Sequence, residues 1–173
     1  ASLPGWARAQ SEPATLATPL FYRVDATGQL DLPGALSVPA SQWQAMAPNG
    51  SLGYRSEVVW FRAEWTLPPT APGQSWVLVI ANPVLDDAQV WVRGLGPQGE
   101  RGAWQHWAVG DKRPFAQRPI TAQHLALPVG KALDGQAPQR LSVYVRVSTS
   151  SSMQLPLRLM SVQAFERSER LRG

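Results

Sequence analysis

The amino-acid sequence predicts an all-β fold, an antiparallel β-sandwich or jelly roll. Two observations predict this class. Short stretches rich in β-branched and aromatic residues recur along the chain, and turns that contain glycine or proline separate them. Proline and glycine are frequent, with 16 and 14 of the 173 residues, and no long amphipathic helix lies between the apolar stretches.

Strands are expected where apolar and polar residues alternate, or where a short run is almost entirely apolar. The predicted strands cover residues 20–24, 58–67, 76–80, 88–93, 124–129, 141–147 and 155–160. The side chains that face inward are expected to be buried, in particular Val59, Phe61, Trp65, Val90, Val92, Val143 and Val145. A short helical turn is predicted at residues 41–46.

The two ends of the chain differ from this pattern. Residues 1–19 are polar and rich in alanine and proline, which predicts a loosely ordered lead-in. Residues 20–162 form the predicted sandwich domain. Residues 163–173 form a C-terminal segment, and Ser161 is a candidate N-cap for a short helix that leaves the domain.

The composition excludes several classes of function. The chain has no cysteine and only two histidines, which removes thiolate metal sites and argues against catalytic zinc. It lacks G-x-S-x-G, H-E-x-x-H, P-loop and dinucleotide-binding motifs, so we predict no catalytic residue, no cofactor and no metal site. The neighbouring carboxylates of Asp86 and Asp87 leave a calcium site open, although the further oxygen ligands that it needs are not visible.

The net charge of +4 and the isoelectric point of about 10.1 raise the question of nucleic-acid binding. Lysine and arginine are scattered through most of the chain and cluster only at its C-terminal end, so we predict no nucleic-acid partner. No stretch approaches the roughly 20 apolar residues that span a membrane, and this fragment is therefore expected to be soluble.

Three predicted strands repeat one pattern, in which an arginine follows an aromatic residue two positions later. The pairs are Trp60 with Arg62, Trp91 with Arg93, and Tyr144 with Arg146. Because successive side chains of a strand alternate, both members of each pair point away from the aliphatic face. Sugar rings stack their C–H faces on aromatic rings, and arginine donates hydrogen bonds to hydroxyls or carboxylates.

The pattern therefore predicts a site for a carbohydrate or another small polar ligand, provided that the three strands share one sheet. The competing interpretation is a set of ordinary surface pairs, in which each arginine stacks on the aromatic ring of its own strand.

The stretch at residues 110–120, Gly-Asp-Lys-Arg-Pro-Phe-Ala-Gln-Arg-Pro-Ile, carries an unusual density of charge. Its two prolines rule out an uninterrupted helix and disfavour a central strand, so we predict an extended connection. Asp111 is expected to pair with Arg113 or Arg118, or to cap backbone amides, and so to hold the loop rigid near the ligand site. The alternative is a solvated connection between strands.

Five pieces of the sequence, taken in order, resemble one known family. They are residues 59–62, 77–92, 110–120, 143–147 and 155–157. No single piece is specific, but the ordered set is. Over about residues 20–165, the chain resembles the type 2 extracellular sensor domain of bacterial seven-transmembrane receptors with diverse intracellular signalling modules (DISM).

The resemblance implies a periplasmic jelly-roll sandwich similar to a carbohydrate-binding module, forming the ectodomain of an inner-membrane receptor. In the family this domain precedes seven membrane helices, which tether it to the membrane, and a cytoplasmic output such as a histidine kinase or a diguanylate cyclase. The implied function is non-catalytic sensing of a small polar ligand. The alternative is an interaction module that acts by homodimerisation or by contact with another receptor ectodomain.

The resemblance also implies site residues, because the family's motifs fall on Trp60 and Arg62, on the loop at 110–120 and on Arg146. The alternation pattern adds two aromatic residues. The complete predicted ligand site is Trp60, Arg62, Trp91, Asp111, Arg118, Tyr144 and Arg146. The chain departs from the family in a long insert at 94–107, rich in glycine and tryptophan, which leaves the rim of the site and the identity of the ligand open.

Replacing Asp111 with alanine is expected to lower both the melting temperature and the response to ligand. Partly buried, charge-assisted hydrogen bonds of this kind contribute about 1–3 kcal/mol. A thermal melt and a binding titration of the variant check this expectation. If both remain unchanged, the loop is only a solvated connection.

Overall fold

The structure is a computed structural model that describes residues 15–47, 50–68, 75–81, 87–109, 125–129, 140–150 and 152–172. The strands within these residues are β1 (Thr15–Leu16), β2 (Phe21–Asp25), β3 (Gln44–Ala45), β4 (Val58–Thr66), β5 (Trp76–Ile80), β6 (Asp87–Leu95), β7 (Gln105–Val109), β8 (Leu125–Pro128), β9 (Arg140–Ser148) and β10 (Leu157–Ser161).

In the part of the chain that the structure describes, these strands form two sheets. All neighbouring strands within each sheet are antiparallel. One sheet has four strands in the order β1-β10-β5-β8, and the other has six in the order β3-β2-β4-β9-β6-β7. Apolar side chains from both sheets share one core, so the predicted all-β sandwich is confirmed. The jelly-roll connectivity stays a prediction.

The core depends on three adjacent strands in the middle of the six-stranded sheet. Phe61 of β4 lies opposite Val145 of β9, which in turn lies opposite Val90 of β6, and all three side chains are fully buried. Leu78 of β5 and Leu159 of β10 meet them from the other sheet. All seven residues predicted to be buried are at most 2% exposed, so this expectation is confirmed.

The four-stranded sheet is covered on its far side by helix α2 (Val162–Arg172). All five residues of β5 are buried, and Val77 and Val79 pack against Ala164 and Phe165 of the helix. The helix follows β10 directly, and the hydroxyl of Ser161 accepts a hydrogen bond from the amide of Ala164 at 3.1 Å. Ser161 is thus the N-cap that the sequence predicts.

The outer face of the six-stranded sheet, which points away from the core, is covered by a segment that precedes β3. Helix α1 (Leu32–Ser37) is capped by Asp31, whose carboxylate accepts a hydrogen bond from the amide of Gly34 at 2.8 Å. A 3₁₀ turn (Ala40–Gln42) follows and overlaps only the start of the helical turn predicted at 41–46, because Gln44 and Ala45 pair with β2 as a strand instead. The residue after the turn, Trp43, packs onto the outer face of the six-stranded sheet.

Four of the described elements are absent from the sequence prediction, namely α1, β7, β1 and β3. Residues 15 and 16, within the predicted lead-in, pair with β10, and the indole of Trp65 donates to the carbonyl of Leu16 at 3.1 Å. The division of the chain into a lead-in, a sandwich domain and a C-terminal segment stays a prediction.

Successive side chains of β4 point to opposite faces of the sheet, so substitutions on the two faces should have different effects on stability. Phe61→Ala should lower the free energy of unfolding by about 3–5 kcal/mol, because it empties a fully buried site between the sheets. Glu64→Ala, on the opposite face of the same strand, should cost less than about 1 kcal/mol, since its ion pair with Arg140 is exposed. Urea unfolding of both variants measures the difference, and equal losses would contradict the assigned faces.

Candidate functional site

The candidate site lies on the outer face of the six-stranded sheet. Register places five side chains in one row across five strands: Phe21, Arg62, Tyr144, Trp91 and His106. The next row holds Arg23, Trp60, Arg146 and Gln89. The assumption that the three aromatic–arginine strands share one sheet is therefore correct.

Aromatic rings from several elements meet at the middle of this face. Trp60 stacks on Trp91 with 5.4 Å between ring centroids, and Trp91 stacks on His106 at 4.9 Å. The ring of Tyr144 makes edge-on contacts with Trp43 and with Trp104, each at 6.0 Å. We define the aromatic–arginine cluster as Trp43, Trp60, Trp91, Trp104, Tyr144, Arg62, Arg93 and Arg146.

The arginines of the cluster are held by rings and by a carbonyl. The guanidinium carbon of Arg62 lies 5.1 Å from the ring centroid of Trp43, and that of Arg93 lies 4.3 Å from the ring centroid of Trp104. Arg146 donates to the carbonyl of Gly28 at 3.3 Å. The stacking partners therefore come from other elements, not from the strand that carries the arginine.

No carboxylate pairs with these three arginines among the residues that the structure describes. Glu64, a candidate structural partner on the same strand as Arg62, pairs with Arg140 at 3.4 Å instead. A guanidinium that stacks through its face keeps its N–H edges available as donors. The site is therefore rich in donors.

Burial divides the cluster into a covered part and an accessible part. Trp60 is 0% exposed, Trp43 6% and Tyr144 8%. Trp91, Trp104 and the three arginines are half-buried, and His106 is exposed. Trp60 belongs to the predicted ligand site, but its indole is inaccessible in this structure. It supports Trp91 through the stacked rings, so Trp91 and Trp104 offer the accessible aromatic surface.

Several buried donors of the cluster have no hydrogen-bond partner among the described residues. They are the indole nitrogens of Trp43 and Trp60 and the Nε of Arg93. Burial lowers the pKa of Arg93, the nearby charge of Arg101 lowers it further, and Tyr144 acts in the opposite direction. Buried polar groups are normally paired, so unpaired donors together with positive charge make an oxygen acceptor favourable here.

Two of the predicted site residues, Asp111 and Arg118, lie outside the described residues, as does Asp86. Sequence reasoning did not include Trp43, Trp104 or Arg93 in the site. Arg93 belongs to the same repeated pattern as Arg62, and Trp104 opens the aromatic stretch before β7, so both carried a signal. Trp43 carried none, because its contact with Tyr144 joins residues far apart in the chain.

Within the described part of the chain, no three histidine, aspartate or glutamate side chains are grouped as metal ligands. No helix among those residues is long and apolar enough to cross a membrane.

Comparison with known proteins assigns the chain to a class, the sensor domains of membrane receptors. The family described as 7TMR-DISM extracellular 2 matches residues 18–161. The chain belongs to this family, the extracellular sensor domain of seven-transmembrane receptors, which in bacteria is periplasmic. The resemblance seen in the sequence is therefore confirmed.

No protein of curated function matches the chain. Among solved structures, the enzymatically active domain of tailspike protein 4 from bacteriophage CBA120 aligns with 87% of this chain and 18% of its own, at 12% identity and a TM-score of 0.32. A likeness at this level carries no argument about fold or function.

The burial pattern predicts different costs for two members of the cluster. Trp60→Ala should lower the free energy of unfolding by about 3–5 kcal/mol, because it removes a fully buried indole. Arg62→Ala should cost no more than about 2 kcal/mol, since it removes only ring contacts. Denaturant unfolding of both variants checks this order, and an Arg62 variant that fails to fold would make that arginine structural.

Proposed function

We propose that this sensor domain binds a carbohydrate, or another small ligand rich in hydrogen-bond acceptors, on the aromatic–arginine cluster and catalyses no reaction. One observation carries the proposal. Arg62 and Arg93 stack on aromatic rings, Arg146 donates to the carbonyl of Gly28, and none of the three has a carboxylate partner among the described residues. Aromatic surface beside free guanidinium edges suits the two sides of a sugar, its C–H face and its oxygen atoms.

The residues then have distinct roles. Trp91 and Trp104, which are half-buried, offer ring surface on which a sugar stacks. Arg62, Arg93 and Arg146 direct N–H groups to hydroxyl or carboxylate oxygens. Trp60 and Tyr144 hold the rings in place from within. The proposed contacts of Asp111 and Arg118 come from the sequence alone.

In the full-length receptor, the proposal couples this ligand to a cytoplasmic output, a histidine kinase or a diguanylate cyclase. Helix α2 is the element suited to carry the signal away from the sandwich. It continues directly from β10, and it is fixed to the four-stranded sheet by Ala164 and Phe165. A change in the sandwich therefore reaches the helix through a continuous, packed connection.

Binding to arginine variants tests the proposal. The wild-type domain should bind one or more glycans with an affinity of about 10 µM to 1 mM, because a shallow polar site gains little beyond the cost of ordering its ligand. Arg62→Ala and Arg146→Ala should abolish this binding and leave the thermal melt near that of the wild type. Arg158→Ala, which removes an exposed arginine on β10, is the matched control and should change neither.

A glycan and metabolite array followed by calorimetry measures these affinities. Binding that survives both substitutions would contradict the assigned site. The array should contain matched neutral and acidic sugars, such as galactose and galacturonate, because stacked arginines favour the acidic member of each pair.

The alternative function, an interaction module that forms homodimers or contacts another ectodomain, places a protein partner on the same face. One observation favours this alternative: the exposed ring of His106 stacks on Trp91 beside the arginines. Sedimentation of the wild-type domain separates the two functions. A dimer that Arg62→Ala dissociates, with no glycan bound, supports the alternative.

A further inference from the structure

A cavity of about 290 Å³ opens beside β2, at the edge of the six-stranded sheet. Its lining residues are Tyr22, Arg23, Val24, Gln42, Gln44 and Arg55. The cavity follows from a short pairing, because β3 meets β2 only at Phe21 and Tyr22. Beyond Tyr22, this side of β2 has no strand partner among the described residues. The volume lies just below the usual range of small-molecule sites, about 300–1,000 Å³, which suits a small ligand.

The side-chain oxygens of both glutamines in the cavity are already engaged. The hydroxyl of Tyr22 donates to the side-chain oxygen of Gln44 at 2.6 Å. Arg23 donates from Nη1 to the side-chain oxygen of Gln42 at 3.0 Å. Each amide therefore keeps its NH₂ group as a donor to the cavity, since an amide carries one oxygen and two N–H donors.

Arg55 adds a donor that is buried and unpaired. Its Nε has no hydrogen-bond partner among the described residues, and its Nη1 lies 3.5 Å from the carboxylate of Glu57, a long contact. The cavity is thus lined by two arginines, and none of its lining residues is acidic. Both charge and hydrogen-bonding pattern favour an anion with several oxygen atoms.

We propose that this cavity binds a small oxyanion, a carboxylate or a phosphate, at a site separate from the aromatic–arginine cluster. Arg55 and Arg23 supply the charge, and the amides of Gln42 and Gln44 complete the donor set. The site does not depend on the proposed glycan function. It adjoins the cluster through the chain, because Trp43 lies between the two glutamines and packs on Tyr144.

Titration of the domain with inorganic phosphate and with citrate tests the site, and glycerol serves as the uncharged control. One of the two anions should bind saturably, with shifts in the side-chain amide signals of Gln42 and Gln44 in NMR spectra. The comparison of phosphate with citrate identifies the preferred oxyanion. Arg55→Gln should weaken binding at least about tenfold, because the charged guanidinium that donates hydrogen bonds to the anion is lost.

Arg140→Gln is the matched control, since it removes one arginine of the same sheet that pairs with Glu64. It should weaken binding less than about twofold if the anion occupies the cavity. If Arg55→Gln does not fold, Gln44→Ala replaces it and should weaken binding severalfold. Equal losses in the Arg140 and cavity variants, unmoved glutamine signals, or no saturable binding below about 10 mM would each overturn the proposal.

Discussion

The antiparallel register of β4, β9 and β6 is the constraint on which the rest of the structure depends. Phe61, Val145 and Val90 lie opposite one another in the core, and a shift of one residue in any strand would turn that strand's apolar set to the outer face. The same register sets Arg62 beside Tyr144, and Tyr144 beside Trp91, on the other side of the sheet. The candidate site therefore follows from core packing, and no separate interaction has to bring its strands together.

Two segments cover the large aromatic rings on the outer face of the six-stranded sheet. Trp43 approaches from the segment after α1, and Trp104 approaches from the connection before β7. Each meets the ring of Tyr144 edge-on. The outer face thus becomes a small second core around Trp60, with arginines half-buried among its rings. This explains how Trp60 and Tyr144 can be buried while Trp91 and the three arginines of the repeated pattern remain partly accessible.

The sequence predicts the faces of β4, β6 and β9 because alternation is a local signal, and it predicts the N-cap at Ser161 for the same reason. It does not predict α1, since a six-residue helix that contains Pro33 and Gly34 reads as a turn. Nor does it predict β7, where polar Gln105 and His106 become a strand only through pairing with β6. The burial of Trp60 and the cavity beside β2 also depend on contacts between distant segments, which no local pattern contains. Asp111 and Arg118 remain predictions from the sequence.

Among the described residues, Arg62 and Arg93 are held by aromatic rings and not by carboxylates, and this has a chemical consequence. An ion pair would use the N–H edges of Arg62 and Arg93, and a ligand would then have to displace it. Stacking uses the guanidinium faces and leaves the edges open. The cost is visible at Arg93, where burial and the charge of Arg101 lower the pKa of the guanidinium. An oxygen acceptor at this face would offset that cost, so the burial of Arg93 and the proposed preference for oxygen-rich ligands have the same physical origin.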